Sequence, residues 1–316
     1  MVWEVAVPAG AELGERPFWE PAAGRLLWVD INAGRLHCYR PGAGDEIILD
    51  LSEGGRPVAL GAAAPRRGGG YVLATAAGFR LTGSIGRGGG VGANRARGGG
   101  VGAGTVLLDE HAIRPSGMPA DARFNDGACD PAGRFWAGTV TVDVRPGAGA
   151  LYRLDPDGTV TMVLGGVTES NGLGWSLDGG TFYFIDSGEP EPRIRAFGCD
   201  LATGVLGRSV DLVRFPGGGP VPDGLVVDTE GTLWVAMWGG GQVRRYAPDG
   251  ELLAVLPVPV SQPTCPAFGG PGMDELYLTT AWEGMTAGQR ATEPLAGHVL
   301  RASPGARGHP AFSFGG

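Results

Sequence analysis

Short runs of alternating or continuous apolar residues recur along this chain, each bracketed by turn-forming residues. Six of them share a similar core: Arg25-Leu-Leu-Trp-Val-Asp, Tyr71-Val-Leu-Ala-Thr, Arg134-Phe-Trp-Ala-Gly-Thr, Thr181-Phe-Tyr-Phe-Ile-Asp, Thr232-Leu-Trp-Val-Ala-Met and Glu275-Leu-Tyr-Leu-Thr-Thr. Aromatic and β-branched residues dominate these runs, so they read as strands. A turn precedes most of them, such as Glu20-Pro-Ala-Ala-Gly, Asp130-Pro-Ala-Gly, Leu177-Asp-Gly-Gly and Asp228-Thr-Glu-Gly. A second apolar strand follows most, such as Gly149-Ala-Leu-Tyr-Arg-Leu or Gln242-Val-Arg-Arg-Tyr. No segment sustains a 3.6-residue period, so helices should be scarce.

The cores lie about 45–50 residues apart, with one longer gap between the second and third. That is the period of a four-stranded propeller blade. The sequence therefore predicts an all-β, six-bladed β-propeller with four antiparallel strands per blade, a innermost and d outermost, as one domain over residues 1–316. The leading strand, Val2-Trp-Glu-Val-Ala-Val, is expected to become the outer strand of the last blade and so close the ring without an open edge. The long gap holds Gly83 to Gly104, a glycine-rich stretch with little to bury. It is expected to be a flexible insertion between strands c and d of blade two, on the face remote from the chemistry. Its fragment Gly98-Gly-Gly-Val-Gly-Ala approaches a dinucleotide fingerprint, but the flanking strand and helix are missing.

The residues that open the innermost strands are polar. They are Glu15 in LGERPFW, Asn125 in RFNDG, Asn171 in SNGLGW and Asp223 in PDGLVVD. An Asx-Gly pair alone signals a turn, and Asp130, Asp178 and Asp228 in their D-x-x-G contexts are read that way. The four entrance residues share one register in their repeats. In a closed ring they should converge at one end of the axis, where two buried carboxylates call for a neutralising partner. Oxygen donors of this kind suit calcium, magnesium or manganese, and zinc with fewer ligands and bound water.

Composition narrows the chemistry. The formal net charge is −8 and there is no basic stripe, which speaks against nucleic-acid partners. Every basic residue is arginine, so Schiff-base and P-loop lysines are excluded. No G-x-S-x-G elbow occurs, and the four histidines, His37, His111, His298 and His309, are scattered. Cys38, Cys129, Cys199 and Cys265 form no C-x-x-C pair and are expected to be reduced, which favours a cytoplasmic protein. The N-terminus does not read as a signal peptide, and no apolar run approaches the roughly 20 residues of a membrane span.

These entrance motifs, with Arg134-Phe-Trp-Ala-Gly-Thr and Phe184-Ile-Asp-Ser, give a sequence that resembles the SMP-30/gluconolactonase/regucalcin family from about Glu12 onward. The resemblance implies a six-bladed propeller that binds one divalent metal and hydrolyses sugar lactones. Carried over by position, Glu15, Asn171 and Asp223 would hold the metal, and Arg123 and Asn125 would contact substrate. Asp143 stands where some relatives carry a glutamate that contacts substrate. On this reading the metal polarises the lactone carbonyl and acidifies water, and Asp223 is also the general base. Trp238 and Trp282 follow strand b on the same face and read equally as packing residues or as walls of the pocket against a sugar ring. Three other readings share the same frame: a non-catalytic calcium-binding or regulatory propeller, an interaction scaffold, and a metal-dependent esterase with another substrate.

Overall fold

A computed structural model describes residues 2–83, 112–188 and 190–316. Among the described residues the strands assemble as six sheets around one axis, apart from a small hairpin that pairs Ser52–Glu53 with Arg56–Pro57. Blade one comprises Gly14–Glu20, Arg25–Asp30, Arg35–Arg40 and Gly44–Asp50, hydrogen-bonded in chain order. Blades three, four and five repeat that order, starting from innermost strands Ala122–Cys129, Ser170–Trp175 and Val221–Val227. Blade two is built from Leu60–Pro65, Tyr71–Thr75 and Gly78–Leu81. Its fourth strand is represented among the described residues by an antiparallel bridge between Phe79 and Ile113. The glycine-rich insertion expected between those two strands lies, from residue 84 on, outside the described residues, as does His111. The chain departs beside the turn that links the first two strands of the blade. Arg66 Nη1 donates to the Thr82 carbonyl over 2.7 Å there.

The ring closes as the leading strand required. Glu4–Val7 pairs antiparallel with Val299–Ala302, placing Glu4 opposite Arg301 and Val5 opposite Leu300. Blade six is thus made of Pro263–Gly269, Glu275–Thr280, Val299–Ala302 and the N-terminal strand. Joining first and last strands in one sheet removes the edge that an open ring would expose. Among the described residues the single α-helix is Ala287–Thr292, whose N-cap Thr286 exchanges hydrogen bonds with Gln289. No helix among them is long and apolar enough to cross a membrane.

The repeated cores all form the second strand of their blades, and they are buried on both faces. This is why they read as continuous apolar runs rather than alternations. Large side chains such as Trp28, Trp136, Tyr152 and Phe182 fill the space between neighbouring blades and are almost wholly buried. The turns before these strands are pinned by aspartates. The Asp228 carboxylate accepts from the Thr232 backbone N–H (2.8 Å), Trp234 Nε1 (2.9 Å) and Arg245 Nη2 (2.8 Å). Asp130 repeats this arrangement with Arg134 and Trp136. These aspartates, and Asp178, are turn formers as the sequence suggested.

A final strap crosses the far end of the axis. Gly308 N–H donates to Met273 in blade six and Thr229 N–H to Arg307, both over 2.8 Å. On the opposite side of the ring Phe314 N–H donates to Pro65 (2.9 Å) and Gly315 N–H to Gly133 (2.8 Å). The Phe314 ring is buried in the core between blades two and three.

Two stability predictions follow from these anchors. Phe314→Ala should lower the unfolding free energy in denaturant by about 3–5 kcal/mol, as for other buried Phe truncations. Asp228→Ala should cost a similar ~3–5 kcal/mol, because it strands the buried partners of a charged acceptor. Burial opposes ionisation of Asp228, but the bonds from Thr232 and Trp234 prevail and hold its pKa below the ordinary value. Its contribution is therefore complete above about pH 4 and lost as pH falls through the lower folded value. The gap between wild type and Asp228→Asn should be widest near neutrality and close in acid.

Candidate active site at the axial mouth

Every innermost strand carries one β-bulge near its start. The register slips between Glu15 and Phe18, Leu60 and Ala62, Phe124 and Asp126, Asn171 and Leu173, Pro222 and Leu225, and Pro263 and Pro266. A bulge inserts an extra residue and re-aims the side chains around it. The entrance residues of blades one, three, four and five lie at or beside these slips. They thus sit inside strands, so the Asx-Gly pairs are not turns here. The glycines answer to packing. A Cβ on Gly224 would come within 2.4 Å of Cys265 Sγ and 2.7 Å of its Cα, and one on Gly172 within 2.8 Å of the Asp223 carbonyl.

The result is a cavity of about 250 Å³ at one end of the axis. Glu15, Arg123, Asn125, Asn171 and Asp223 all line it, together with Trp238. Glu169, Ser187 and Glu283 also line it, and sequence reasoning missed them. Glu169 was legible in principle, since it lies two residues before Asn171, just ahead of strand Ser170–Trp175, where an extended chain points both side chains the same way. Glu283 follows strand Glu275–Thr280 in a loop, where no periodicity marks it. Asp143 is absent from the lining. Its exposed carboxylate sits 2.7 Å from Arg145 Nη1, so the expected substrate contact does not arise from this geometry. Trp282 is also elsewhere, with its indole N–H on the Gly10 carbonyl at 3.0 Å and Arg290 stacked on its ring.

A chain of hydrogen bonds crosses three blades along the cavity wall. Arg123 Nη1 donates to Asn125 Oδ1 over 2.5 Å. Asn125 Nδ2 donates to Asn171 Oδ1 (2.9 Å) and to the Ser170 carbonyl (3.0 Å). Asn171 Nδ2 donates to Ser187 Oγ at 2.9 Å, and Ser187 Oγ donates to the Pro222 carbonyl at 2.5 Å, next to Asp223. Both amides are thereby fixed in orientation. Asn171 Oδ1 keeps one lone pair beyond the bond from Asn125.

The carboxylates are differently placed. Glu15 accepts from the Arg16 backbone N–H at 2.9 Å. Burial, followed by the charge of Asp126, pushes its pKa up to about 8. Asp223 is 5% exposed, and among the described residues nothing donates to its carboxylate. Burial and then the charges of Glu15 and Glu169 drive its pKa well above the ordinary value. Beneath them Arg16, at φ +43°, lies 3.5 Å from Asp126, a largely buried pair that no sequence pattern announced.

A buried carboxylate without a donor, beside a second carboxylate and an oriented carboxamide oxygen, is an all-oxygen donor set that fits a hard divalent cation. Glu15, Asn171 and Asp223 supply it. Among the described residues no group of three or more His, Cys, Asp or Glu side chains is placed to hold a metal ion, so any such site here would draw on the Asn171 carboxamide as well as the two carboxylates. Neither His37, held by Asp45 and stacked on Trp28, nor His298, which accepts from the Gly10 N–H, reaches the cavity. The four cysteines are free thiols.

Fold and site together define a six-bladed propeller with a polar, carboxylate-lined cavity on its axis. Residues 13–282 match the family model SMP-30/Gluconolactonase/LRE-like region, and the chain belongs to that family. It is 33% identical to a regucalcin of Danio rerio over 99% of this chain and 98% of that one. It is 36% identical to the pentonolactonase XacC of Haloferax volcanii over 97% of this chain and 96% of that one. The crystal structure of a calcium-binding regucalcin from Agrobacterium tumefaciens superimposes with a TM-score of 0.83 at 26% identity, covering 99% and 97% of the two chains.

Gly224→Ala should test the close packing of the bulges. It should destabilise the fold by about 1–3 kcal/mol through overpacking against Cys265, measured as a shift in denaturant midpoint at unchanged slope.

Proposed function

We propose that this protein hydrolyses sugar lactones in the axial cavity, with a divalent cation held by Glu15, Asn171 and Asp223. The observation that carries this reading is the convergence of those side chains with Arg123 and Asn125 on one cavity of about 250 Å³. The pentonolactonase relative supports the substrate class, and the regucalcin neighbour named as calcium-binding supports calcium as the first candidate metal. A bound cation supplies positive charge that polarises a carbonyl and acidifies water.

The residues of this chain do the rest. Asp223 has a carboxylate oxygen free to accept the proton of the attacking water. Arg123 presents a planar fork of donors to substrate oxygens. Asn125, pinned between Arg123 and Asn171, holds both at fixed spacing. Trp238 offers an apolar wall on the same cavity. Such preorganisation is where a positioned site gains most over solution.

Acid release from glucono-δ-lactone, followed with a pH indicator, is the direct test. The expected result is turnover that a chelator abolishes and a divalent salt restores. Asp223→Ala should lose at least the 10²–10⁴-fold typical of positioned proton transfer. Chelator-insensitive turnover, or near-wild-type activity in Asp223→Ala, would overturn the proposal.

A further inference from the structure

Four carboxyl groups line the cavity, more than one divalent cation can balance. Glu15, Glu169, Asp223 and Glu283 line it, and among the described residues Arg123 is its one lining cation. A divalent ion between Glu15 and Asp223 offsets that pair, leaving Glu169 and Glu283 facing Arg123. Neither glutamate forms an ion pair with Arg123 within 4.0 Å among the described residues, although Arg123 feels the charge of both. The two are held apart from it by the walls they belong to. Glu283 accepts from Asn32 Nδ2 at 2.8 Å in blade one. Glu169 is tied through its backbone N–H to Asp186 Oδ1 at 3.0 Å in blade four. A ligand in the gap meets a guanidinium that only donates and two carboxylates that only accept. Hydroxyl groups satisfy both, whereas a carboxylate or phosphate meets two like charges in a poorly screened site.

We propose that Glu169 and Glu283 are the specificity-determining residues of this cavity and restrict it to neutral, polyhydroxylated lactones, rejecting those that bear an anionic group. This rests on the lactonase reading and extends it to the product. Hydrolysis breaks the acyl C–O bond of a neutral ester, adds water across it, and releases a hydroxy-carboxylate and a proton. The same two glutamates therefore disfavour the product relative to the substrate and help expel it.

The test compares a matched pair on the metal-loaded protein: glucono-1,4-lactone, which is neutral, and glucaro-1,4-lactone, which has a carboxylate in place of the terminal hydroxymethyl. Wild type should prefer the neutral lactone in kcat/KM. In the Glu169→Gln/Glu283→Gln variant that preference should shrink by about tenfold or more, the scale of one removed like-charge contact. Inhibition by gluconate should tighten in the same variant. Glutamine keeps the size of each side chain, and Glu283→Gln keeps an acceptor for Asn32. An unchanged preference and unchanged gluconate inhibition in a folded double variant would overturn the proposal. If neither lactone is hydrolysed, the lactonase reading fails separately. The charge filter is then read from calorimetric binding of the two intact lactones, where equal affinities in wild type would overturn it.

Discussion

A strand on the axis of a propeller has two directions for its side chains, and a regular pleat alternates between them. Residues at one register in six such strands would then be dictated by packing alone. The six bulges near the starts of these strands break that alternation where they meet. They let Glu15, Asn125, Asn171 and Asp223 turn into one cavity while Leu27, Phe135, Ile185 and Val235 on the adjacent strands stay in the core. The cost appears as backbone strain at Arg16 and as contacts so close that only glycine fits after Asn171 and Asp223.

The cavity wall combines a stiff part and an uncompensated part. The amides and Ser187 are locked by hydrogen bonds that run from Arg123 to Pro222 across three blades. The carboxylates are left with few donors and with one another's charge. A rigid frame around unneutralised oxygens is the arrangement that favours a cation, because nothing needs to rearrange when it arrives. Asp126 and Arg16, one layer deeper, place a fixed ion pair under that frame.

Much of this was legible in the chain. Strand cores buried on both faces announce themselves as apolar runs, and their spacing counts the blades. The N-terminal strand could be assigned to the last blade because a ring has nowhere else to put it. Four of the polar residues were legible because the repeat aligns them. What escaped did so for physical reasons. Glu283 and Trp282 lie in a loop, where side-chain direction depends on the path of the backbone rather than on period, so Glu283 gave no signal and Trp282 packs away from the cavity. Asp143 follows a strand closely, yet Arg145 captures it at the surface. Asp126 sits inside the same RFNDG motif as Asn125, but one step along a strand reverses direction, and it faces Arg16 below the cavity.

The strap across the opposite end of the axis has a consequence for traffic. His309, Ala311 and Phe312 line the lower hollow of about 80 Å³, and the backbone is stitched to blades on both sides of the hoop. The strap thereby lies across one end of the pore, opposite the cavity that Glu15 and Asp223 line. Traffic to that cavity runs most directly over the upper rim, so an arriving molecule and a departing one compete for the same doorway.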